Sequence, residues 1–272
     1  MEKTDKLNLL ICGAQRSGTT SLKHYLEEHP DILFIGEKEL YYRNNYVAYP
    51  FCTPFYSKAS IGENPEVYKE ISKMHAGKAA YIGTKWPYFM IFPHIACNIK
   101  QHLPDAKLLF ILRNPVDALY SSYWHAKAKR DVSYSFDGRV EQTLALIEGL
   151  WPPQNRSQWP KVLIDPENDC WWLERGFYYQ QIKNFYNLFA PEQILVLPFE
   201  EIARDSVALM RKILNSLGLD PSFPFKTVGK TMNASPPYPP MSPETRGKLT
   251  RFYADSNHKL MNLLGWPEGL WK

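Results

Sequence analysis

A glycine-bracketed loop between an apolar strand and a helix constrains this chain more than any other stretch. Residues 7–11 form a short apolar run of strand type, the loop covers residues 13–20, and apolar residues recur at helical spacing over 21–26. Such a loop places backbone N–H groups that have no intrahelical partner at a helix N-terminus, where the helix dipole adds partial positive charge. The sequence therefore predicts that a phosphorylated ligand binds here.

The residues of this glycine loop differ from those of the triphosphate-binding enzymes. Gly13 and Gly18 have the spacing of a nucleoside-triphosphate loop, but that motif continues with lysine and then serine or threonine. Thr19 and Thr20 follow here. Since the missing lysine would reach the β- and γ-phosphates, its absence argues against polyphosphate and magnesium chemistry. Arg16 instead offers a rigid guanidinium fork that suits a single phosphate group.

Strands that alternate with helices predict an α/β fold with a central parallel sheet. We expect a single domain over residues 1–272, although two small domains also fit this length. Further strands are predicted at 32–35, 81–83, 108–112 and 193–197, and further helices at 89–102, 116–127, 136–150, 176–189, 206–217 and 243–264. Ligands of such a sheet lie beyond the carboxyl ends of its strands. Arg16, Glu39, Lys85 and Arg113 each follow a strand end, which predicts that they converge on one crevice.

The charge and apolar pattern of the whole chain narrow its class. A net charge of +4 over 272 residues indicates neither a nucleic-acid-coating protein nor an acidic tail. No apolar segment approaches the roughly 20 residues that a membrane helix needs, and a charged N-terminus leads directly into the first strand, so we expect a cytoplasmic protein without a membrane partner. The four cysteines lack paired spacing, which predicts neither a metal site nor a disulfide framework.

The strand that ends at Arg113 makes the pattern specific. Residues 108–115, followed by Asp117, Tyr120 and Ser121, resemble the second signature of sulfotransferases that use 3′-phosphoadenosine 5′-phosphosulfate (PAPS), and the glycine loop resembles the first. Further matches, at 38–39, 85–88, 176–178, 194–200 and 240–266, are similar to the branch that contains the heparan sulfate enzymes and many bacterial relatives. The resemblance implies a P-loop-like sulfotransferase fold and sulfuryl transfer from PAPS, with 3′-phosphoadenosine 5′-phosphate (PAP) as product.

The resemblance also implies a set of cofactor-binding residues. Those of the loop are Gln15, Arg16, Ser17, Gly18, Thr19 and Thr20, of which Arg16 and the two threonines would hold the 5′-phosphate. Arg113 and Ser121 would hold the 3′-phosphate, since a serine eight residues on lies about two helical turns away and can face the strand end. Phe225 is a candidate to stack on adenine or equally a core residue. Lys230 is a candidate for the lysine of the family's cofactor loop, but the register of 225–241 stays open, and the disulfide that braces this loop in the heparan enzymes has no counterpart here.

Sulfuryl transfer needs a base for the nucleophile's proton and positive charge near the departing oxygen. Glu39 matches the family's glutamate base, against the alternative of a solvated loop carboxylate, and Lys38 and Lys85 match lysines near the sulfuryl group. Other sulfotransferases use histidine as the base. The histidines that could serve are His24, His29 and His125.

The near-neutral charge and the aromatic residues favour a small-molecule acceptor, such as a cationic guanidinium alkaloid of the saxitoxin type. The rings that could line its pocket are Tyr41, Tyr42, Trp86, Tyr88, Tyr123 and Trp124. A polyanionic glycan, which would need a cleft rich in Lys and Arg, is the alternative acceptor. A kinase-like enzyme and a non-catalytic nucleotide-binding module are remote alternatives. The sequence leaves open whether oxygen or nitrogen is sulfated, and it leaves the oligomeric state open.

Overall fold

The computed structural model describes residues 2–35, 77–91, 93–129, 132–147, 173–230 and 237–271. The strands are β1 (Leu7–Gly13), β2 (Ile32–Phe34), β3 (Tyr81–Lys85), β4 (Lys107–Leu112) and β5 (Ile194–Pro198). The α-helices in these ranges are α1 (Thr19–Leu26), α2 (Pro93–His102), α3 (Pro115–Lys127), α4 (Phe136–Ile147), α5 (Tyr178–Tyr186), α6 (Glu200–Ser216) and α7 (Pro243–Leu264). Short 3₁₀ helices cover Glu174–Gly176 and Pro191–Gln193.

The five strands lie parallel in one sheet, in the order β2-β3-β1-β4-β5. Leu9, Leu10 and Ile11 of the central strand are fully buried, which explains a continuous apolar run instead of an alternating one. The chain forms β2 and β3 on one side of β1, then β4 and β5 on the other. This reversal next to β1 creates the switch point at which open α/β sheets bind ligands. The predicted α/β fold with a central parallel sheet is confirmed.

One compact unit contains the sheet and comprises the described residues among 1–48, 57–113 and 179–234. Its core joins apolar side chains of the strands with Leu22 and Leu26 of α1 and with Met210 and Ile213 of α6. Each of these four side chains is fully buried. Because burial of such a side chain is worth about 1.5–3 kcal/mol, the core fixes α1 on the sheet and with it the loop that precedes α1.

A second unit comprises the described residues among 114–178 and 235–272 and contains α3, α4 and α7. Asn114 caps α3, because its side-chain oxygen accepts the Val116 N–H at 3.0 Å. The core of this unit is rich in aromatic rings around Tyr253, whose hydroxyl donates to the Leu173 carbonyl at 2.7 Å. A Cβ atom on Gly176 would lie 2.5 Å from Cε1 of Tyr253, so this position has no room for a side chain.

Some predicted helix bounds are wrong. The helix predicted at 206–217 begins at Glu200, and Asp205 interrupts it with φ −157° and ψ 86°. Asp205 also accepts the Ala208 N–H at 2.9 Å, as an N-cap does. The sequence therefore predicts the part of the helix after Asp205 and misses the part before it. The helix predicted at 176–189 is the shorter α5, and the helix predicted from residue 89 begins at Pro93.

Two features are absent from the described residues. None of their helices is both long and apolar enough to cross a membrane. No group of three or more His, Cys, Asp or Glu side chains in the same part of the chain could hold a metal ion.

Candidate functional site

The glycine loop leaves the carboxyl end of β1, at the centre of the sheet. The Ala14 N–H donates to the Ile111 carbonyl at 2.6 Å, which ties the start of the loop to β4. Gly18 then precedes α1 in the left-handed conformation, with φ 83° and ψ 12°. Because glycine has no side chain, Gly18 cannot cap the first N–H groups of α1, and an anion can accept from them. The predicted strand, loop and helix are confirmed.

Two glycines of the loop lie against neighbouring side chains, which would have to shift if either position carried a Cβ atom. A Cβ atom on Gly13 would lie 2.0 Å from Sδ of Met90. A Cβ atom on Gly18 would lie 2.9 Å from Cδ1 of Ile202 and 3.1 Å from Cε2 of Phe199. The loop is therefore enclosed by residues from two other connections, and this packing holds its backbone in one arrangement.

Arg113 follows β4 and lies beside the loop. Its Nη1 donates to the Arg16 carbonyl oxygen at 3.4 Å, and its guanidinium carbon lies 5.0 Å from the centre of the Phe199 ring. Arg16 itself has φ 62°, an uncommon value for a residue with a side chain, and such values are concentrated at binding sites. This contact brings the Arg113 side chain to the backbone of the loop at Arg16.

Strand β3 brings a second cation to the other side of the loop. Nζ of Lys85 donates to Oγ1 of Thr20 at 3.4 Å. Gln15 also binds this side, because its Nε2 donates to the Tyr88 hydroxyl at 2.5 Å. Ser17 is fully buried within the loop. Lys85 therefore joins the predicted cluster, and Tyr88, which the sequence places among the rings of an acceptor pocket, supports the loop.

The other cofactor residues predicted from the sequence lie on two different segments. Ser121 is on α3 in the second unit and is 2% exposed. Phe225 and Lys230 follow α6 in the first unit. Phe225 is half-buried, packs against the core and meets the Phe223 ring edge-on at 5.0 Å. Lys230 is exposed, and its carbonyl accepts the Tyr25 hydroxyl at 2.8 Å.

Several predicted catalytic and acceptor residues lie outside the described ranges, namely Lys38, Glu39, Tyr41 and Tyr42. Of the described rings, Trp86 meets Phe89 edge-on at 5.3 Å. Tyr123 belongs to the core of the second unit and is 7% exposed. Trp124 is half-buried and stacks on Tyr238 with 5.9 Å between the ring centres.

His29 is placed as a structural residue. Its Nδ1 accepts the Asp31 N–H at 3.1 Å, and its ring lies 4.7 Å from the Phe223 ring. Burial lowers the pKa of His29 below its usual value, although the carboxylates of Asp31 and Asp220 act in the opposite direction. His29 also follows the far end of α1, and eight helical residues separate that end from the glycine loop by about 12 Å. His24 and His125 are half-buried on α1 and α3.

Phe199 is a site residue that the sequence reasoning missed. It supports the Arg113 guanidinium and closes the space beside Gly18, while its N–H donates to the Leu112 carbonyl at 2.7 Å. Phe199 directly follows β5. The rule that selected Arg113, that site residues follow the carboxyl ends of parallel strands, could have found it.

The geometry suits an anionic ligand. The start of α1, where Gly18 provides no side-chain cap, lies beside the cations Arg16, Lys85 and Arg113, which belong to the loop and its neighbouring strand ends. Donors held in place before a ligand arrives bind phosphate oxygens well, and they can stabilise negative charge that develops during group transfer.

Comparisons with known proteins agree with this geometry. The family profile described as a sulfotransferase domain matches residues 6–233. The membrane-associated sulfotransferase kil1 of Dictyostelium discoideum is 23% identical, over 94% of this chain and 65% of that protein. The human bifunctional heparan sulfate N-deacetylase/N-sulfotransferase 3 is 25% identical, over 99% of this chain and 32% of that protein. This chain thus spans less than two thirds of the length of either relative.

A solved structure shares the architecture along nearly the whole chain. The crystal structure of a sulfotransferase from Alicyclobacillus acidocaldarius superimposes with a TM-score of 0.73 at 26% identity, and 98% of both chains are covered. The matched profile includes the glycine loop, Lys85, Arg113 and the segment that ends at Lys230. On this evidence the chain belongs to the sulfotransferase domain family.

Proposed function

We propose that this chain transfers a sulfuryl group from PAPS to a hydroxyl or amine of a small-molecule acceptor, with residues 1–272 acting as one sulfotransferase domain. The observation that carries the proposal is the contact of Arg113 with Arg16, beside a glycine loop that lacks the lysine of triphosphate enzymes. It places the Arg113 guanidinium at the backbone of the loop that carries Arg16. An arginine on the loop and another on the next strand end suit a donor with two separate phosphate groups better than a metal-bound triphosphate.

The described residues fit such a donor. The N–H groups at the start of α1, with Arg16, Thr19 and Thr20, would hold the 5′-phosphate. Arg113 would hold the 3′-phosphate, and the family resemblance adds Ser121 of α3. Phe225 would stack on the adenine, and its half-buried ring leaves part of its surface accessible. Lys230, on the same segment, would add positive charge.

The chemistry we propose is an in-line displacement at sulfur. The acceptor oxygen or nitrogen forms a bond to sulfur while the bond from sulfur to the bridging oxygen of the 5′-phosphate breaks, so that PAP leaves. Glu39 would take the proton of the acceptor. Lys85 and Lys38 would lie near the sulfuryl group, and Arg16 would neutralise charge on the departing phosphate. The position of Lys85 Nζ, 3.4 Å from Oγ1 of Thr20, supports its part in this arrangement.

A small cationic acceptor, for example a guanidinium alkaloid of the saxitoxin type, fits the composition best. A net charge of +4 over 272 residues gives little general attraction for a long polyanion, whereas aromatic side chains make up 14% of the chain and can hold a cation.

A glycan acceptor is the second candidate, because relatives of this chain include the heparan sulfate N-deacetylase/N-sulfotransferases. That likeness applies to about a third of those proteins and leaves the acceptor of this chain to experiment.

The test uses purified protein with ³⁵S-labelled PAPS and a set of acceptors: guanidinium alkaloids, phenols, primary amines and N-deacetylated heparosan. We expect labelled small-molecule product, with PAP released in equal amount. Label in the polysaccharide alone would replace the small-molecule acceptor with the glycan. Phosphate transfer from ATP, with no sulfuryl transfer to any acceptor, would contradict the proposed function.

A further inference from the structure

The carboxylate of Glu28 binds a turn that lies far away in the sequence. Its Oε2 accepts the Lys226 N–H at 2.6 Å, and its Oε1 accepts the Thr227 N–H at 2.9 Å as well as the Thr227 hydroxyl. One side chain therefore satisfies three donors of one turn. Hydrogen bonds to an ionised acceptor are about twice as strong as neutral ones, so this is a firm attachment.

Tyr25 and His29, two neighbours of Glu28, contact the segment 223–230 that contains this turn. The hydroxyl of Tyr25 donates to the Lys230 carbonyl, and the His29 ring packs against Phe223. Positions 25, 28 and 29 are spaced three and four apart, so they share one side of the helix and the turn that extends it. The segment 223–230 is thus attached to the end of α1 at three places.

Helix α1 links this attachment to the glycine loop. It begins directly after Gly18 and is buried against the sheet along Leu22 and Leu26. A short helix that is packed against a sheet along its length bends little. The loop at its start and the segment at its end, about 12 Å apart, are therefore held in a fixed relation.

Segment 223–230 contains neither helix nor strand, and it contacts the core of the first unit through the partly buried side chains of Phe223, Phe225 and Val228. Backbone hydrogen bonds within the segment close short turns, from the Phe225 N–H to the Phe223 carbonyl and from the Lys230 N–H to the Thr227 carbonyl. Gly229, with φ 92° and open space where a side chain would be, adds a position that can change conformation easily. Ordering such a segment costs conformational entropy, which a ligand must offset unless the protein has ordered it beforehand.

We infer that Glu28 is a positioning residue for donor binding: through Lys226 and Thr227 it holds segment 223–230 so that Phe225 and Lys230 face the adenosine end of PAPS. This inference rests on the proposed function. Glu28 acts through the segment and does not itself touch the donor.

The test compares Glu28→Ala, Glu28→Gln and Thr227→Val with the wild-type protein. Glu27→Ala is the matched control, because Glu27 is the adjacent residue and pairs with Lys23 at the surface. Calorimetry measures PAP affinity, steady-state kinetics give kcat and the KM for PAPS, and hydrogen exchange follows the amides of 223–230.

If the segment is ordered in advance, removing its attachment should weaken PAP binding and raise the KM for PAPS about tenfold in Glu28→Ala, with kcat within about twofold of wild type. Exchange at 226–230 should accelerate. Glu28→Gln should restore part of the affinity. Glu28→Ala/Thr227→Val should bind no more weakly than Glu28→Ala alone, since both changes remove one interaction. Glu27→Ala should behave as wild type.

Unchanged PAP affinity in all three variants, with wild type binding PAP, would overturn the inference and leave the proposed function in place. So would a loss of thermal stability alone, which a structural tether would produce. Glu28→Gln and Thr227→Val keep the size of the side chain and decide the question if Glu28→Ala does not fold. Wild-type protein that fails to bind PAP would overturn the proposed function, and the inference would fall with it.

Discussion

Nη1 of Arg113 lies 3.4 Å from the carbonyl oxygen of Arg16. The two residues are 97 positions apart in sequence, and they meet because β1 and β4 are neighbouring parallel strands whose carboxyl ends lie at the same edge of the sheet. This contact brings an arginine of each signature to one loop.

Replacing Arg113 by Ala should weaken PAP binding about 10- to 100-fold, because a buried phosphate loses a charge-assisted partner. Adenosine 5′-phosphosulfate, which lacks the 3′-phosphate, should bind the variant and the wild type alike. The PAP affinity of Arg113→Lys should lie between that of Arg113→Ala and that of the wild type, since lysine keeps the charge but lacks the planar guanidinium. Calorimetry with both ligands checks this. Equal weakening of the two ligands would place Arg113 at the 5′-phosphate instead.

Gly18→Ala should destabilise the protein more than a matched change at Gly218. Both glycines have positive φ, 83° and 66°, so both substitutions carry a backbone cost of about 1–2 kcal/mol. A Cβ atom at Gly18 also meets Ile202 at 2.9 Å, whereas at Gly218 nothing lies within 4 Å. Urea unfolding should show the larger loss for Gly18→Ala, and adding Ile202→Ala should couple to it. Equal losses of unfolding free energy in the two variants would show that the residues around Gly18 can shift to admit a methyl group.

Much of this site could be predicted from the sequence because parallel strands place their carboxyl ends together. That rule selects Arg16, Lys85 and Arg113, and in the structure Lys85 and Arg113 both contact the glycine loop or the start of α1. The spacing of Gly13 and Gly18 identifies the loop. Their close approach to Met90 and Ile202, which would have to shift to admit a Cβ atom, appears only in the structure.

The contacts that depend on tertiary packing could not be predicted in this way. Glu28 looks in sequence like an ordinary charged residue at a helix end, since its partner Thr227 is 199 positions away. The start of α6, before Asp205, is missing from the predicted helix at 206–217. An aspartate that caps a helix is typical of a helix boundary, so Asp205 marks the start of a helix in the sequence. The aromatic character of Tyr88 suggests an acceptor pocket, which stays a prediction, and it gives no sign of the bond from Gln15 to the Tyr88 hydroxyl.

The stability of the fold should depend on the ionisation of Glu28. Burial raises the pKa of this carboxyl, but hydrogen bonds from Thr227 and Lys226 and the nearby His24 outweigh that effect, so its pKa lies below the ordinary 4.5. A folded pKa below the unfolded one gives stability that is present above the unfolded value and is lost as the pH falls through the folded value.

Glu28→Gln should therefore lower the free energy of unfolding most at pH values above about 5 and progressively less as the pH falls. Urea titrations of both proteins at several pH values measure the difference. A difference that stays constant with pH would mean that the charge of Glu28 contributes nothing.

Glu39→Gln tests the proposed base. A base acts mainly in the transition state, so the substitution should lower kcat by about 10²–10⁴-fold while PAP affinity barely changes. Acceptors that are already neutral amines should depend on Glu39 less than hydroxyl acceptors. Near wild-type kcat in Glu39→Gln, with activity lost in His24→Ala or His125→Ala, would move the base to histidine.

We predict that the glycine loop and Arg113 bind a nucleotide with separate 3′- and 5′-phosphates and need no divalent ion. Calorimetric titration of the wild-type protein with PAP in EDTA tests this most directly, beside a titration with ATP and Mg²⁺. We expect PAP to bind in EDTA. ATP with Mg²⁺ should bind far more weakly and should not displace bound PAP. Tight binding of ATP that requires Mg²⁺, with no binding of PAP, would contradict the prediction that this site holds separate 3′- and 5′-phosphates without a metal ion.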